Sequence, residues 1–572
     1  MTVGSGVGAG WTRRDVATLI GLLALAALLR LPNLATRGTW DGDQGHDMLV
    51  LRAFVRDGVV PLLGPPTSIG DVHHGAWYYY LLSPAAFVTG GDSPLAVVAL
   101  IAAAGVAAVG VVWALARSIA GPIAGIVAGV AIAVSAAAVD ESTFIWNPNL
   151  IALSSAVALA AAWRAWSGGR STWWVIAAIG TAVTLQCHVL GIALLPVIGA
   201  PFLLDARRRP LRREAIAGVL VLLIAYLPLL VNELTTGFSE VNAALDYLSG
   251  GREPSATAIP IRFGIVGLRV VSWPLVGLIT DGFVVAVVAT CAVIGIVAWA
   301  WRRPDVAERP AADPSSGRSA PATTATWMVA RWLGIGLLWS AAALTIAAPS
   351  LATVIPGLPN DHYHAFADPM VFVLVGMGAA MAMGGGLAMP AGTVAIRGRV
   401  AVAGLVTVAG LVALIGWNLT HLPPPVHPDG GYPAGQATGD RVDATLSAAG
   451  YEREDPVLLR SLPDFKSTEA VAYPLALRGR SYVAETPKGR APGSVDVPAS
   501  AGGWALVLLC DDRFADAIGA HCGGPAEDEA VTAGGDLGWG PLLDRFEAAP
   551  GRFVSVYGAV GAALGAEFDP EG

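Results

Sequence analysis

Trp40-Asp41-Gly42-Asp43-Gln44-Gly45-His46-Asp47 places three carboxylates within seven residues, shortly after the apolar segment that runs from Val16 to Leu31. Ionisable groups beside a lipid-facing segment are costly unless they face water or a polar ligand. The octapeptide therefore marks a polar edge built against a membrane. Outward from it the chain stays apolar: hydrophobic residues make up 54% of the 572 and charged residues 14%. Soluble globular domains carry more charge than this, and the balance is that of an integral membrane protein. The net charge of −8 gathers in the C-terminal third. It marks a solvated acidic domain and, with no basic patch of interleaved aromatics, argues against nucleic-acid binding.

A spanning helix needs about 20 mainly apolar residues. Segments of that kind occur near 15–33, 94–116, 120–139, 148–166, 172–187, 189–204, 214–232, 282–301, 326–348, 368–388 and 401–420, about eleven spans in all. Arg13 and Arg14 precede the first as they would in a secretory signal, but no small-residue cleavage site follows, so it reads as a retained helix. The pair 172–187 and 189–204 is short and joined by Gln186-Cys187-His188, which leaves one bent hairpin as the alternative. Phe263 to Thr280 is apolar but contains Arg269 and Pro274, and reads as a re-entrant or surface helix.

Loop arginines set the orientation. With the N-terminus cytoplasmic, the inner side holds Arg13, Arg14, Arg117, Arg164, Arg170, Arg207-Arg208-Arg209, Arg212, Arg213, Arg302, Arg303, Arg397 and Arg399, whereas the opposite loops 140–147 and 349–365 have no Lys or Arg. An odd number of spans then puts the C-terminus outside. Three regions interrupt the helical domain of residues 1–420 or follow it. Residues 34–93 form a large outer loop, 302–325 a flexible inner linker rich in Pro, Ala, Ser and Thr, and 421–572 a soluble extracytoplasmic domain that begins at His421-Leu422-Pro423-Pro424-Pro425. Within the last, Gly503-Trp504-Ala505-Leu506-Val507-Leu508-Leu509-Cys510 reads as a buried strand and Asp511 to Ala520 as a short helix, which suits a small α/β module. Cys187 and Cys291 lie in apolar segments; Cys510 and Cys522 either form a disulfide or stay free.

A carboxylate at the membrane boundary, partly desolvated and reachable by substrate, can act as general base on an incoming hydroxyl. Asp41, Asp43 and Asp47 are the candidates, and capping a helix that starts near Gly45 is the competing task. Arg262 and Arg269 can clamp a lipid phosphate or snorkel to headgroups. Asn360-Asp361-His362-Tyr363-His364 can line a phosphate or sugar site; read as a metal site, Asp361, His362 and His364 would be the ligands. Asp140 and Glu141 end a span on the outer side. Trp77, Tyr78, Tyr79 and Tyr80 suit an aromatic belt or stacking on a sugar ring. Asn147 and Asn149 suit sugar-hydroxyl recognition or helix capping.

Three motifs occur in order: an Asp-Gln-Gly-x-Asp turn after the first helix, Leu62-Leu63-Gly64-Pro65-Pro66-Thr67-Ser68, and His73-His74-Gly75-Ala76-Trp77-Tyr78-Tyr79-Tyr80. With the later Phe144-Ile145-Trp146-Asn147-Pro148-Asn149, they resemble bacterial family 39 membrane glycosyltransferases, relatives of the protein O-mannosyltransferases and aminoarabinose transferases. The resemblance implies a polytopic α-helical protein of the GT-C fold with about eleven transmembrane helices and a C-terminal α/β domain. It makes Asp43 the base, with Gln44 where the family often has Glu. It puts His73 and His74 at the place of a phosphate-binding Lys-Pro-Pro stretch; Arg262, Arg269 and His364 are further candidates for the phosphate by their own chemistry. Asp41, Gln44, Tyr79, Asn147, Asn149, His362 and Tyr363 are the candidates for sugar or acceptor. The implied activity is inverting transfer of a sugar from a polyprenyl-phosphate carrier to a cell-envelope acceptor, with membrane lipids as the surroundings. A lipid or polysaccharide transporter is the alternative. No nucleotide motif is present, no residue is assigned to a metal, and a divalent cation is the one cofactor left open.

Overall fold

The structure is a computed structural model that describes residues 11–67, 72–168, 171–204, 211–249, 257–302, 323–353, 361–383, 394–463, 466, 468–486, 489–495, 504–532 and 539–559. Residues 303–322 of the expected inner linker lie outside the described residues. The chain is an integral membrane protein. Among the described residues, six helices are long and apolar enough to cross a membrane, and a seventh results if the bent pair Arg212–Ala225 and Leu227–Thr236 counts as one span.

The first helix, α1 (Arg13–Arg30), packs along the 41-residue Pro94–Val134, which is two helices in series. Ala120 and Gly121 leave the helical region there, Gly121 with φ +86°. Beyond the break Gly125 lies against Arg117 and Trp113, so the chain doubles back; this matches the two spans expected at 94–116 and 120–139. Two ionic contacts hold α1 in place. Near its start Asp15 pairs with Arg117. At its end buried Arg30 donates to the carbonyls of Ile132 and Ala133 at 2.9 and 2.8 Å, the last turn of the returning helix, whose carbonyls have no helical partner. The stretch 172–204 is likewise two helices, Trp173–Cys187 and Leu194–Leu204, broken at His188.

The apolar stretch with the two arginines becomes a helix, Ile259–Val276. Its contacts lie along the loop-bearing end of the bundle: Arg269 with Leu351 and Asp361, Trp273 with Glu141, and Leu275 with Asn418. It packs along Phe283–Trp301 and Thr323–Ala347 and is one of the six helices long and apolar enough to cross a membrane, where the sequence suggests a re-entrant or surface helix; its polar contacts at the loop-bearing end come from Arg269 onward. On the same side the loop 34–93 folds into α2 (Gly42–Arg52), a two-stranded ladder of β1 (Leu63–Pro66) and β2 (His73–Gly75), and α3 (Trp77–Thr89).

The region after the last span is an α/β domain. Its sheet contains β3 (Val457–Leu462), β4 (Tyr482–Thr486), β5 (Gly489–Arg490), β6 (Ala505–Asp511), β7 (Trp539–Ala549) and β8 (Arg552–Ala559) in the order β5-β4-β3-β6-β8-β7. β3 runs parallel to β4 and β6, and β8 is antiparallel to β6 and β7. β6 is buried at every position, which is why it reads as an unbroken apolar run. Cys510, on that strand, is bonded to Cys522, with Cα atoms 5.8 Å apart. The helix α4 (Glu469–Leu477) projects from this domain onto α2.

Candidate active site

The octapeptide forms the start of α2, and its three acids have three different surroundings. Asp41 is the N-cap: its carboxylate accepts from Gly42 N at 2.8 Å, while Gln44 Oε1 accepts from Asp41 N at 2.8 Å, closing a capping box. Asp41 also lies 3.0 Å from both Lys466 Nζ and Arg552 Nη2. Burial pushes its pKa up, but the two cations outweigh it and hold the carboxyl at about 2. Asp47, one turn further on, is buried and accepts the hydroxyls of Tyr78 and Tyr79 at 2.7 and 2.9 Å. Burial raises it to about 7. Asp43 is exposed, and no described residue makes a hydrogen bond or ion pair with its carboxylate. Partial desolvation, with Asp41 beside it, raises its pKa above the ordinary carboxylate value. Asp43 is the acid of the three left available for a substrate.

The C-terminal domain forms one wall of this region. Gly45 is required for it: a Cβ there would sit 2.1 Å from the carbonyl oxygen of Glu469, so only glycine lets α4 come this close. Trp40 Nε1 donates to Ala470 O at 2.9 Å, and Glu469 binds His46 Nδ1 at 3.1 Å. Lys466, Glu469 and Arg552 were not among the residues singled out from sequence. They stand more than 400 positions from α2, and no local pattern announces such a contact.

Several of the expected ligands are committed elsewhere. Gln44 is buried and its Nε2 donates to Ile145 O at 2.9 Å. Asn147 donates to Cys187 O, and Asn149 to Phe144 O at 2.8 Å; both hold the 144–149 loop. Tyr79 is taken by Asp47. Arg269, 1% exposed, forms a two-pronged bond with Asp361 at 2.8 and 2.6 Å and donates to Leu351 O at 2.6 Å. His364 is buried against Asp361 at 3.2 Å and Asp368 at 3.6 Å. His73 is bound through its backbone N and Nδ1 to Glu240, at 2.7 and 2.8 Å. Asp43, His73 and Arg269 are thus on the same side of the bundle but are not joined by direct contacts.

His74, His362 and Tyr363 do come together, around His188. The His188 ring centre is 4.8 Å from His74, 5.5 Å from His362 and 5.2 Å from Tyr363, and His362 lies 4.2 Å from Trp146. Gln44 ties this cluster to α2 through Ile145, next to Trp146. Arg262 is half-buried, and its Nε has no hydrogen-bond partner. Among the described residues no group of three or more His, Cys, Asp or Glu side chains is placed to hold a metal ion.

A helical membrane bundle, an acid at the start of a helix in the first loop, and an α/β domain closing over that helix together define a GT-C fold. Residues 73–231 match the family model described as dolichyl-phosphate-mannose-protein mannosyltransferase. The apo crystal structure of ArnT from Cupriavidus metallidurans superposes with a TM-score of 0.53 at 13% identity, covering 96% of this chain and 98% of that one. The same protein bound to undecaprenyl phosphate aligns at 0.49 and 15%, with 96% and 98% covered. The oligosaccharyltransferase AglB from Archaeoglobus fulgidus, in complex with an inhibitory peptide and a dolichol-phosphate, aligns at 0.45 and 15%, with 88% and 70% covered. A comparison with curated protein sequences returns no match. The family resemblance read from the motifs is thus supported over residues 73–231 and by the fold. Asp43 lies upstream of the matched segment, so its role rests on the geometry of α2.

Proposed function

We propose that this chain is an inverting glycosyltransferase that moves a sugar from a polyprenyl-phosphate carrier to a cell-envelope acceptor at the outer membrane face. The observation that carries the reading is Asp43: an exposed carboxylate, unengaged and raised in pKa, at the first turn of a helix beside the membrane. The family model over 73–231, described as dolichyl-phosphate-mannose-protein mannosyltransferase, supports the carrier class. In this reading Asp43 takes the proton of the acceptor hydroxyl as its oxygen attacks the anomeric carbon. The bond from that carbon to the phosphate oxygen breaks on the opposite side, and polyprenyl phosphate leaves. Negative charge grows on the phosphate, so fixed donors there stabilise the transition state. Arg262 is the cation we assign to it, with His74 and the His188, His362 and Tyr363 cluster on the sugar side. Arg269, His364, Gln44, Asn147 and Asn149 are reassigned to holding the frame, and His73 to holding Glu240.

The inner-side arginines support a cytoplasmic N-terminus and an external C-terminal domain, and the Cys510 to Cys522 bond suits that compartment. The test supplies purified protein in detergent or nanodiscs with defined polyprenyl-phosphate sugars and acceptor extracts, comparing wild type with Asp43→Asn. Transfer should fall by 10²-fold or more, to the order expected for losing a general base. Equal transfer by the variant sinks the base. No transfer from any such donor, with movement of lipid-linked sugar across a vesicle bilayer, would establish the transporter instead.

A further inference from the structure

The contact between α4 and α2 includes a carboxylate–imidazole pair beside Asp43. The Glu469 side chain is 2% exposed and takes His46 Nδ1 at 3.1 Å, while His46 keeps 22% of its side chain exposed. A carboxylate on Nδ1 fixes the ring and leaves Nε2 for another partner, and no described residue takes it. Asp43 and His46 are three residues apart in α2 and so are neighbours on one helix face. The charged groups around the pair are Asp41 and Asp47 on α2, Lys466 and Glu469 of the C-terminal domain, and Arg552 on β8 against Asp41; Tyr78 and Tyr79 of α3 cover Asp47. We propose that His46, held by Glu469, is a positioning residue for Asp43: its imidazolium lies beside the carboxylate and keeps it ionised when the acceptor hydroxyl arrives. This rests on Asp43 being the base.

The electrostatics run in that direction. Burial, Asp41 and, less strongly, Glu469 push Asp43 up, and Lys466 and His46 pull it down. Burial alone would discharge His46, but the bond to Glu469 outweighs it and raises the imidazole above its ordinary value. Docking of the C-terminal domain therefore holds the imidazolium in place: Glu469 bonds His46, not Asp43, and without it His46 loses its proton at lower pH.

The experiment is the pH profile of kcat/KM, with a defined polyprenyl-phosphate sugar, for the full chain and for H46Q, H46K, E469Q and D43N. Wild type should lose activity at low pH as Asp43 protonates. In H46Q the acidic limb should move up by about one pH unit, the size of effect a neighbouring charge produces, with the donor KM unchanged. H46K supplies a cation, so it should restore the acidic limb. E469Q should lower the pH at which the His46 imidazole titrates, read by NMR. A wild-type profile in H46Q, at an unchanged melting temperature, overturns the inference. If H46Q unfolds, a His46 titration in E469Q that matches wild type overturns it equally. D43N turning over at the wild-type rate overturns the base assignment itself and this inference with it.

Discussion

Asp41, Asp43 and Asp47 show how little residue type alone decides. All three carry the same group within two helical turns, yet one caps a helix and anchors two cations, one is buried under two tyrosine hydroxyls, and one faces open space. The two arginines divide in the same way, and mutation separates their roles. Arg269→Ala should leave Asp361, 1% exposed, without its two-pronged partner and with His364 as its remaining cation, costing about 3 kcal/mol, the low end for breaking a buried pair; thermal unfolding of the detergent-solubilised protein measures it. Arg262→Ala should melt with the wild type but raise the donor KM about tenfold, the loss of one charge-assisted phosphate contact. If instead Arg262→Ala melts early and binds donor normally, the phosphate assignment belongs elsewhere.

At the level of elements, the site depends on how closely α4 approaches α2. Two devices set that distance: the missing side chain at Gly45 and the indole of Trp40 bonded to Ala470 O. Gly45→Ala places a methyl group against a backbone carbonyl that cannot rotate away, so α4 must retreat. Limited proteolysis of the C-terminal domain should then quicken and transfer should fall, although Asp43 itself is untouched. Transfer at the wild-type rate in Gly45→Ala would show that docking of α4 is dispensable. The spans were legible from composition because a lipid-facing helix must be apolar along its length. Breaks at Gly121 and His188 fell where the apolar runs were interrupted, whereas Ile259–Val276, which reads as a re-entrant or surface helix because Arg269 interrupts it, is long and apolar enough to cross a membrane.

For the whole molecule, the two domains meet through Asp41. Its carboxyl is held at about 2 against an ordinary 3.8, so the stabilisation from Lys466 and Arg552 is complete above pH about 4 and is lost as pH falls through 2. Asp41→Asn should remove it at neutral pH, weakening docking by about 2 kcal/mol. Hydrogen exchange in α4 and around Trp40 would register the loosening, and exchange identical to wild type would show that the pair contributes nothing to docking. What the sequence determined alone was the membrane class, the places where helices start and break, the strand β6 and a short list of acids. Those follow from local demands: apolar length for lipid, a cap for a helix start, an unbroken apolar run for a strand buried on both faces. Which acid remained unengaged, and that Lys466 and Arg552 take Asp41 while Glu469 takes His46, only the tertiary structure decided. A charge is neutralised or left available by what lies within a few ångströms in space, and here those partners come from the far end of the chain.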